Sequence, residues 1–197
     1  MTSAYLALRD RRLGREPVRS LQLGAEFVAA ALVVGCFLHF GLSAEALVAS
    51  FFVAVLVVLS AIDIQERILP NRIVLPATGI VFAAQLAIAP ERWLEWLLAP
   101  LGAALFLLAA HIVNPKGMGM GDVKLCLLLG VALGQAVAVA LVVALLAGLL
   151  PAVFLVARRG RAARGVGIPF GPFLALGGIV ALFWGDALLD AYLALLT

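Results

Sequence analysis

The stretch GMGMGDVK, residues 117–124, decides how the surrounding chain is organised. Its three glycines stand at alternate positions, and they are followed by Asp122, which opens a strongly apolar segment. Glycine restricts the backbone very little, and a carboxylate that starts an apolar segment is costly unless it has a use. Asp122 is therefore a candidate functional residue. Asp63, at the end of another apolar segment, is its candidate partner.

Composition excludes a soluble globular domain. Of the 197 residues, 65% are hydrophobic and only 13% are charged, and the mean hydropathy is +1.17. Soluble domains of this size are far more polar. The composition predicts an all-α fold, a polytopic membrane helix bundle.

Seven apolar segments are long enough, or nearly so, to form membrane helices of ~17 to 25 residues. The fifth is short, and it could be joined to the sixth in one helix. Such a helix would be about 54 Å long, well beyond a ~30 Å hydrocarbon core, so we expect a break at Gly134-Gln135. The predicted helices are 21–40, 44–62, 73–89, 93–113, 122–134, 136–157 and 170–192.

The basic residues predict an orientation. With the N-terminus in the cytoplasm, every one of the 14 Lys and Arg residues except Arg92 falls on the cytoplasmic side, as the positive-inside rule requires. Residues 1–20 are then a basic cytoplasmic tail, and residues 21–197 form a single transmembrane domain. A cleaved signal peptide is the alternative for the N-terminal segment. Asp63 and Asp122 come to similar depth on the cytoplasmic side.

Two carboxyl groups a few ångströms apart cannot both ionise cheaply, so one keeps a proton and the other stays charged. Such a pair supplies an acid and a base for hydrolysis of a peptide bond. The helix dipole leads to a hypothesis about which carboxyl group is ionised. Asp122, at a helix N-terminus, is the ionised member, and Asp63, at a helix C-terminus, holds the proton.

Three sequence elements carry a resemblance to a known family. They are GMGDVKL at 119–125, AID at 61–63 followed by ILPN at 68–71, and IPFGPFLA at 168–175. Together they resemble the type IV prepilin peptidases, membrane aspartic proteases of the GxGD class. The resemblance covers residues 21 to 185, nearly the whole chain.

The resemblance implies an aspartic endopeptidase whose catalytic residues are Asp63 and Asp122. It implies a peptidase domain at 21–197 in the inner membrane, which cuts prepilins or pseudopilins at the cytoplasmic face without metal, cofactor or nucleic acid. The tail has no cysteine pair like that of longer members, so we expect cleavage without N-methylation. The residues expected to bind substrate or support the site are Gly119, Gly121, Lys124, Glu26, Pro70, Pro169, Phe170 and Gly171.

Other interpretations remain open at this stage. A proton-coupled transporter could use the same two carboxylates as a relay, although no internal repeat is evident, and a non-catalytic assembly subunit would need neither acid. Lys124 could simply extend its charge to the membrane surface. Glu26 lies inside the first span and should face the bundle, where a structural hydrogen bond competes with a substrate contact. His39 and His111 are too isolated to form a metal site.

Overall fold

The computed structural model describes residues 19–113, 118–159 and 169–195, which contain seven α-helices and no β-strand. This confirms the all-helical prediction, and each helix ends within about one turn of its predicted bounds. The predicted tail up to residue 18, and also Gly117 and Ile168, lie outside the described residues. The helices are α1 (Arg19–Phe40), α2 (Ala44–Glu66), α3 (Asn71–Ile88), α4 (Trp93–Val113), α5 (Met120–Leu133), α6 (Val137–Arg159) and α7 (Gly171–Ala194).

Six stretches of the described residues are long and apolar enough to cross a membrane. Helix α5 has only 14 residues, about 21 Å, which is too short to cross a ~30 Å hydrocarbon core alone. Together with most of α6, helix α5 forms one apolar stretch, Met120–Phe154. The chain is a multi-pass membrane protein. The predicted seven helices are present, but seven independent spans are not confirmed.

The predicted break between α5 and α6 lies at Gly134. This residue has φ 56° and ψ −132°, a backbone conformation that side-chain-bearing residues rarely adopt. A Cβ at Gly134 would also collide with the carboxylate of Glu95. That carboxylate accepts a hydrogen bond of 3.0 Å from the backbone N–H of Gln135. Glycine at this position therefore lets the chain end α5 and begin α6 after a short turn, Gly134–Ala136.

Helix α5 forms the centre of the bundle, because it packs against α2, α3, α4, α6 and α7. Its side chains Leu125, Leu128 and Leu129 are at most 1% exposed. Helix α4 approaches so closely that a Cβ at Gly130 would overlap the backbone of Pro100. Small residues allow this close packing of membrane helices. The most buried helix is thus the one that begins with the GxGD stretch.

Four helix ends meet at one end of the bundle. They are the C-terminal end of α2 and the N-terminal ends of α3, α5 and α7, whose mutual contacts bring them together. Helix α2 continues to Glu66, about one turn beyond its predicted end at residue 62, so Asp63 lies in its last turn. Asp122 lies in the first turn of α5. Both candidate acids therefore lie at this end.

Candidate active site

Asp63 is held by the N-terminus of α7. Its side chain is buried, with 5% of the residue exposed, and its Oδ2 accepts a hydrogen bond of 3.0 Å from the backbone N–H of Gly171. A Cβ at Gly171 would lie only 2.7 Å from the same oxygen. The absence of a side chain at Gly171 is therefore what allows the first turn of α7 to reach this carboxylate.

Asp122 is held by the residue that precedes its own helix. It is 7% exposed, and its Oδ2 accepts a hydrogen bond of 3.1 Å from the backbone N–H of Gly119. In return, the backbone N–H of Asp122 donates to the carbonyl oxygen of Gly119, also at 3.1 Å. This reciprocal pair is the backbone form of a helix capping box. It fixes the position of the carboxylate relative to the start of α5.

The two carboxylates lie close enough to interact electrostatically. Within the described residues, Asp63 and Asp122 are the only polar or charged residues that are buried. Burying a charge is costly, and burying two of the same sign together is more so. A bundle has no structural need for this arrangement, which therefore indicates a functional site.

The glycines of the GxGD stretch serve close approach more than a special backbone conformation. Gly119 is extended, with φ −77° and ψ 144°, and Gly121 already belongs to α5. A Cβ at Gly121 would lie 2.9 Å from the Cβ of Leu69, a buried residue of the α2–α3 connection. Gly121 therefore lets this connection pack directly on the start of α5, beside Asp122.

Lys124 connects two helices at the edge of the site. Its Nζ donates a hydrogen bond of 3.0 Å to the Oδ1 of Asn71, the first residue of α3. Pro70 precedes Asn71 as the N-cap residue of α3. The ammonium group therefore joins α5 to α3, a contact that the sequence-based prediction did not include. The signal available was weak, because Asn71 was part of the ILPN element but had no assigned partner.

Pro169 and Phe170 form the approach to α7. Phe170 is the N-cap residue of this helix, and its ring packs against that of Phe173, with the ring centroids 6.4 Å apart. Its ring also lies against α6, where a Cβ at Gly148 would come within 3.2 Å of it. These contacts anchor the segment immediately before Gly171, so they help to position the N–H group that binds Asp63.

The prediction that Glu26 faces the interior of the bundle is wrong. Glu26 is exposed, because α1 packs mainly on α2 at the edge of the bundle and leaves most of its surface uncovered. The structure therefore places Asp63, Asp122 and the candidates at the starts of α3, α5 and α7 at one end of the bundle, whereas the side chain of Glu26 is exposed on α1.

The amino-acid sequence of this chain resembles those of known proteins. Residues 50–156 match the type IV leader peptidase family, and this segment contains both Asp63 and Asp122. The chain belongs to this family. It is therefore a peptidase, and its family acts in prepilin processing. No solved structure matches the chain.

Several relatives are described as prepilin leader peptidase/N-methyltransferases. The one from Bacillus subtilis strain 168 is 32% identical over 169 residues, which are 86% of this chain and 68% of the relative. The one from Xanthomonas campestris is 31% identical over 203 residues, with 96% of this chain and 68% of the relative covered. The one from Burkholderia pseudomallei strain 1026b is 36% identical over 188 residues, with 92% and 61% covered.

The candidate site of this chain offers carboxylates and backbone N–H groups. Among the described residues, no group of three or more His, Cys, Asp and Glu side chains is arranged to hold a metal ion. The expected independence from metal and cofactor stays a prediction. What the arrangement provides by itself is a pair of buried acids that can exchange protons with a substrate.

Proposed function

We propose that this chain is an aspartic endopeptidase in which Asp63 and Asp122 are the catalytic pair. The observation that carries the proposal is the burial of these two carboxylates at the same end of the bundle, close enough to interact electrostatically. Two such groups share a proton, so one is available as an acid while the other is available as a base. Membership of the family supports a peptidase reaction, and both acids lie within the matched segment.

The reaction follows from this shared proton. The ionised carboxylate takes a proton from water as the water oxygen bonds to the scissile carbonyl carbon, and the protonated carboxyl group donates to the carbonyl oxygen. The tetrahedral intermediate then collapses, and its carbon–nitrogen bond breaks. The proton taken from water passes to the leaving amine, and a hydroxyl proton of the intermediate returns to the other carboxylate. The pair is then ready for another cycle.

The hydrogen bonds to both carboxylates come from backbone N–H groups, although the charge of Arg67 also acts on Asp63. Each carboxylate accepts one backbone hydrogen bond, from Gly171 or from Gly119, through its Oδ2. An ionised carboxylate has about four acceptor positions, so most of them stay available for water, substrate or the partner acid. Each acid is thus held in place while it stays free to exchange a proton.

We propose prepilins or pseudopilins as the substrates, cut at the cytoplasmic face of the inner membrane. The relatives are described as prepilin leader peptidases, and the positions of Lys and Arg favour a cytoplasmic site. Three apolar residues near the catalytic pair in the chain are exposed: Ile64, Ile68 and Met120. They offer contacts to an apolar substrate segment. Cleavage without methylation stays a prediction, which the mass of the new N-terminus of the product would test.

The test is a cleavage assay with purified protein in detergent and a prepilin with a basic leader. We expect Asp63→Asn and Asp122→Asn each to lower the cleavage rate by about 10²- to 10⁴-fold, the usual contribution of a general acid or base. Asp186→Asn is the matched control. Asp186 is an exposed residue of α7 that lines a cavity with Glu45 and Arg92 at the opposite end of the bundle, so this variant should cleave like the wild type.

Two outcomes would reject the proposal. If Asp63→Asn and Asp122→Asn both leave cleavage intact, the pair is not catalytic. If the wild type cleaves no prepilin but carries protons across vesicle membranes, the two acids belong to a transport pathway instead.

A further inference from the structure

His111 contacts the segment just before Asp122, and the proposed reaction assigns no role to this contact. It lies in the last turn of α4, is half-buried, and its Nδ1 is 2.7 Å from the carbonyl oxygen of Met118. A carbonyl oxygen can only accept a hydrogen bond, so Nδ1 carries the proton and donates it. This contact ties the end of α4 to the residue just before the GxGD sequence.

The acceptor of this bond and the donor to Asp122 belong to the same peptide group. The carbonyl of Met118 and the N–H of Gly119 are the two ends of one planar amide. His111 donates to the oxygen of this amide, the carbonyl oxygen of Met118. The N–H of the same amide, which belongs to Gly119, donates to the Oδ2 of Asp122 at 3.1 Å. A continuous line of hydrogen bonds therefore runs from the imidazole through one peptide group to the carboxylate.

This line acts on Asp122 in two ways. A hydrogen bond to the oxygen of an amide polarises the group, so the N–H becomes a better donor to the carboxylate. The bond from His111 also holds the orientation of the peptide plane. Without it, this plane could turn easily, because Gly119 has no Cβ to restrict rotation next to it.

We propose that His111 is a positioning residue, which holds the Met118–Gly119 peptide group so that its N–H points at the carboxylate of Asp122. This rests on the proposed function, since it matters for catalysis only if Asp122 takes part in the reaction. His111 is not in contact with the reacting atoms. Its effect should therefore appear in the rate of the chemical step and not in substrate binding.

The test compares three substitutions of His111 in the prepilin cleavage assay. His111→Asn places an amide N–H close to the position of Nδ1, whereas His111→Gln places it near the position of Nε2, and His111→Leu has no donor. We expect His111→Leu and His111→Gln to lower kcat about 3- to 10-fold, equivalent to the loss of one hydrogen bond, with KM unchanged. His111→Asn should recover most of kcat.

His39→Leu is the matched control. His39 is an exposed residue near the end of α1, where its ring contacts those of Phe40 and Phe183, and it should leave kcat and KM at wild-type values. If the role of His111 were merely structural, His111→Asn and His111→Gln would change kcat equally, or the substitutions would lower thermal stability and leave kcat unchanged. If His111→Leu does not fold, the comparison of Asn with Gln decides the question.

The outcomes separate this inference from the proposed function. If the wild type cleaves, Asp122→Asn does not, and His111→Leu or His111→Gln has wild-type kcat, then the positioning role is overturned and the catalytic pair stands. If Asp122→Asn cleaves normally, or the wild type does not cleave, the proposed function fails and the role of His111 fails with it.

Discussion

The two ends of the bundle hold their carboxylates in different ways. At one end, the carboxylates of Asp63 and Asp122 accept hydrogen bonds from backbone N–H groups. At the other end, the carboxylate of Glu95 forms an ion pair of 2.8 Å with Arg92, whose guanidinium also stacks over the ring of Trp96. Glu95 accepts a further bond from the N–H of Gln135.

This difference separates the two carboxylates that we propose as catalytic from a carboxylate with a structural role. An arginine keeps its proton at any ordinary pH, so a carboxylate paired with it stays an anion and serves to hold helices together. A carboxylate held by a single backbone N–H group keeps acceptor positions free and can gain or lose a proton. We therefore expect substitutions at the Asp63 end to change the reaction and substitutions at the Glu95 end to change stability.

A glycine at each end allows this comparison to be tested, and the larger effect is expected at Gly171. A methyl group there would lie 2.7 Å from the Oδ2 of Asp63, so Gly171→Ala must displace the carboxylate or α7. A displacement of about 1 Å can cost on the order of 10²-fold in rate, and we expect a loss of cleavage activity of that size. The measurement is kcat on a prepilin, together with a melting curve to confirm folding.

Gly79→Ala is the control for this variant, because no atom outside its chain neighbours and the adjacent backbone of its own helix lies within 4 Å of the position of its Cβ. It should leave activity unchanged and should not lower the melting temperature, because alanine favours a helix interior more than glycine does. Equal activities of Gly171→Ala and wild type would show that the position of Asp63 does not depend on the start of α7.

Gly134→Ala is the corresponding change at the Glu95 end. It forces a side chain into a backbone conformation suited to glycine, at a cost of about 1 to 3 kcal/mol, and it pushes on the Glu95 carboxylate. We expect a lower melting temperature but normal kcat in the molecules that remain folded. The comparison breaks down if this variant melts normally and loses kcat as Gly171→Ala does.

The smallest effect is expected for the hydrogen bond between Lys124 and Asn71. Both groups are at least partly exposed, so the bond should contribute about 1 kcal/mol or less. Lys124→Met and Asn71→Ala should each lower cleavage only a few-fold. The double variant should be no worse than the more affected single variant, as a double-mutant cycle requires for one shared contact. Independent, additive losses would show that Lys124 acts elsewhere, for example on the substrate.

The helices could be predicted well because their signals are local. Runs of apolar residues of the right length, with Gly and Pro between them, place most helix ends within about one turn. The short fifth helix and its break at Gly134 also followed from length. Glu26 could not be placed correctly, since the depth of a residue along a helix says nothing about which face another helix covers.

The assignment of a proton to Asp63 also depended on local information. The sequence shows that Asp63 is near the C-terminus of its own helix, where the helix dipole disfavours a negative charge. It does not show that the N-terminus of α7 donates to the same carboxylate. Asp63 therefore lies at the C-terminus of its own helix and also at the N-terminus of α7, so helix ends alone do not assign the proton, and the hypothesis stays a prediction.

The sequence by itself determined a membrane bundle of seven helices and singled out two acids, because hydrophobicity and the cost of burying charge can be assessed from composition and position along the chain. Tertiary structure alone decided which groups surround those acids. Gly171 is 108 positions from Asp63, and Asn71 is 53 from Lys124. Contacts between such distant residues depend on how helices pack, and packing depends on the shapes of all the side chains together.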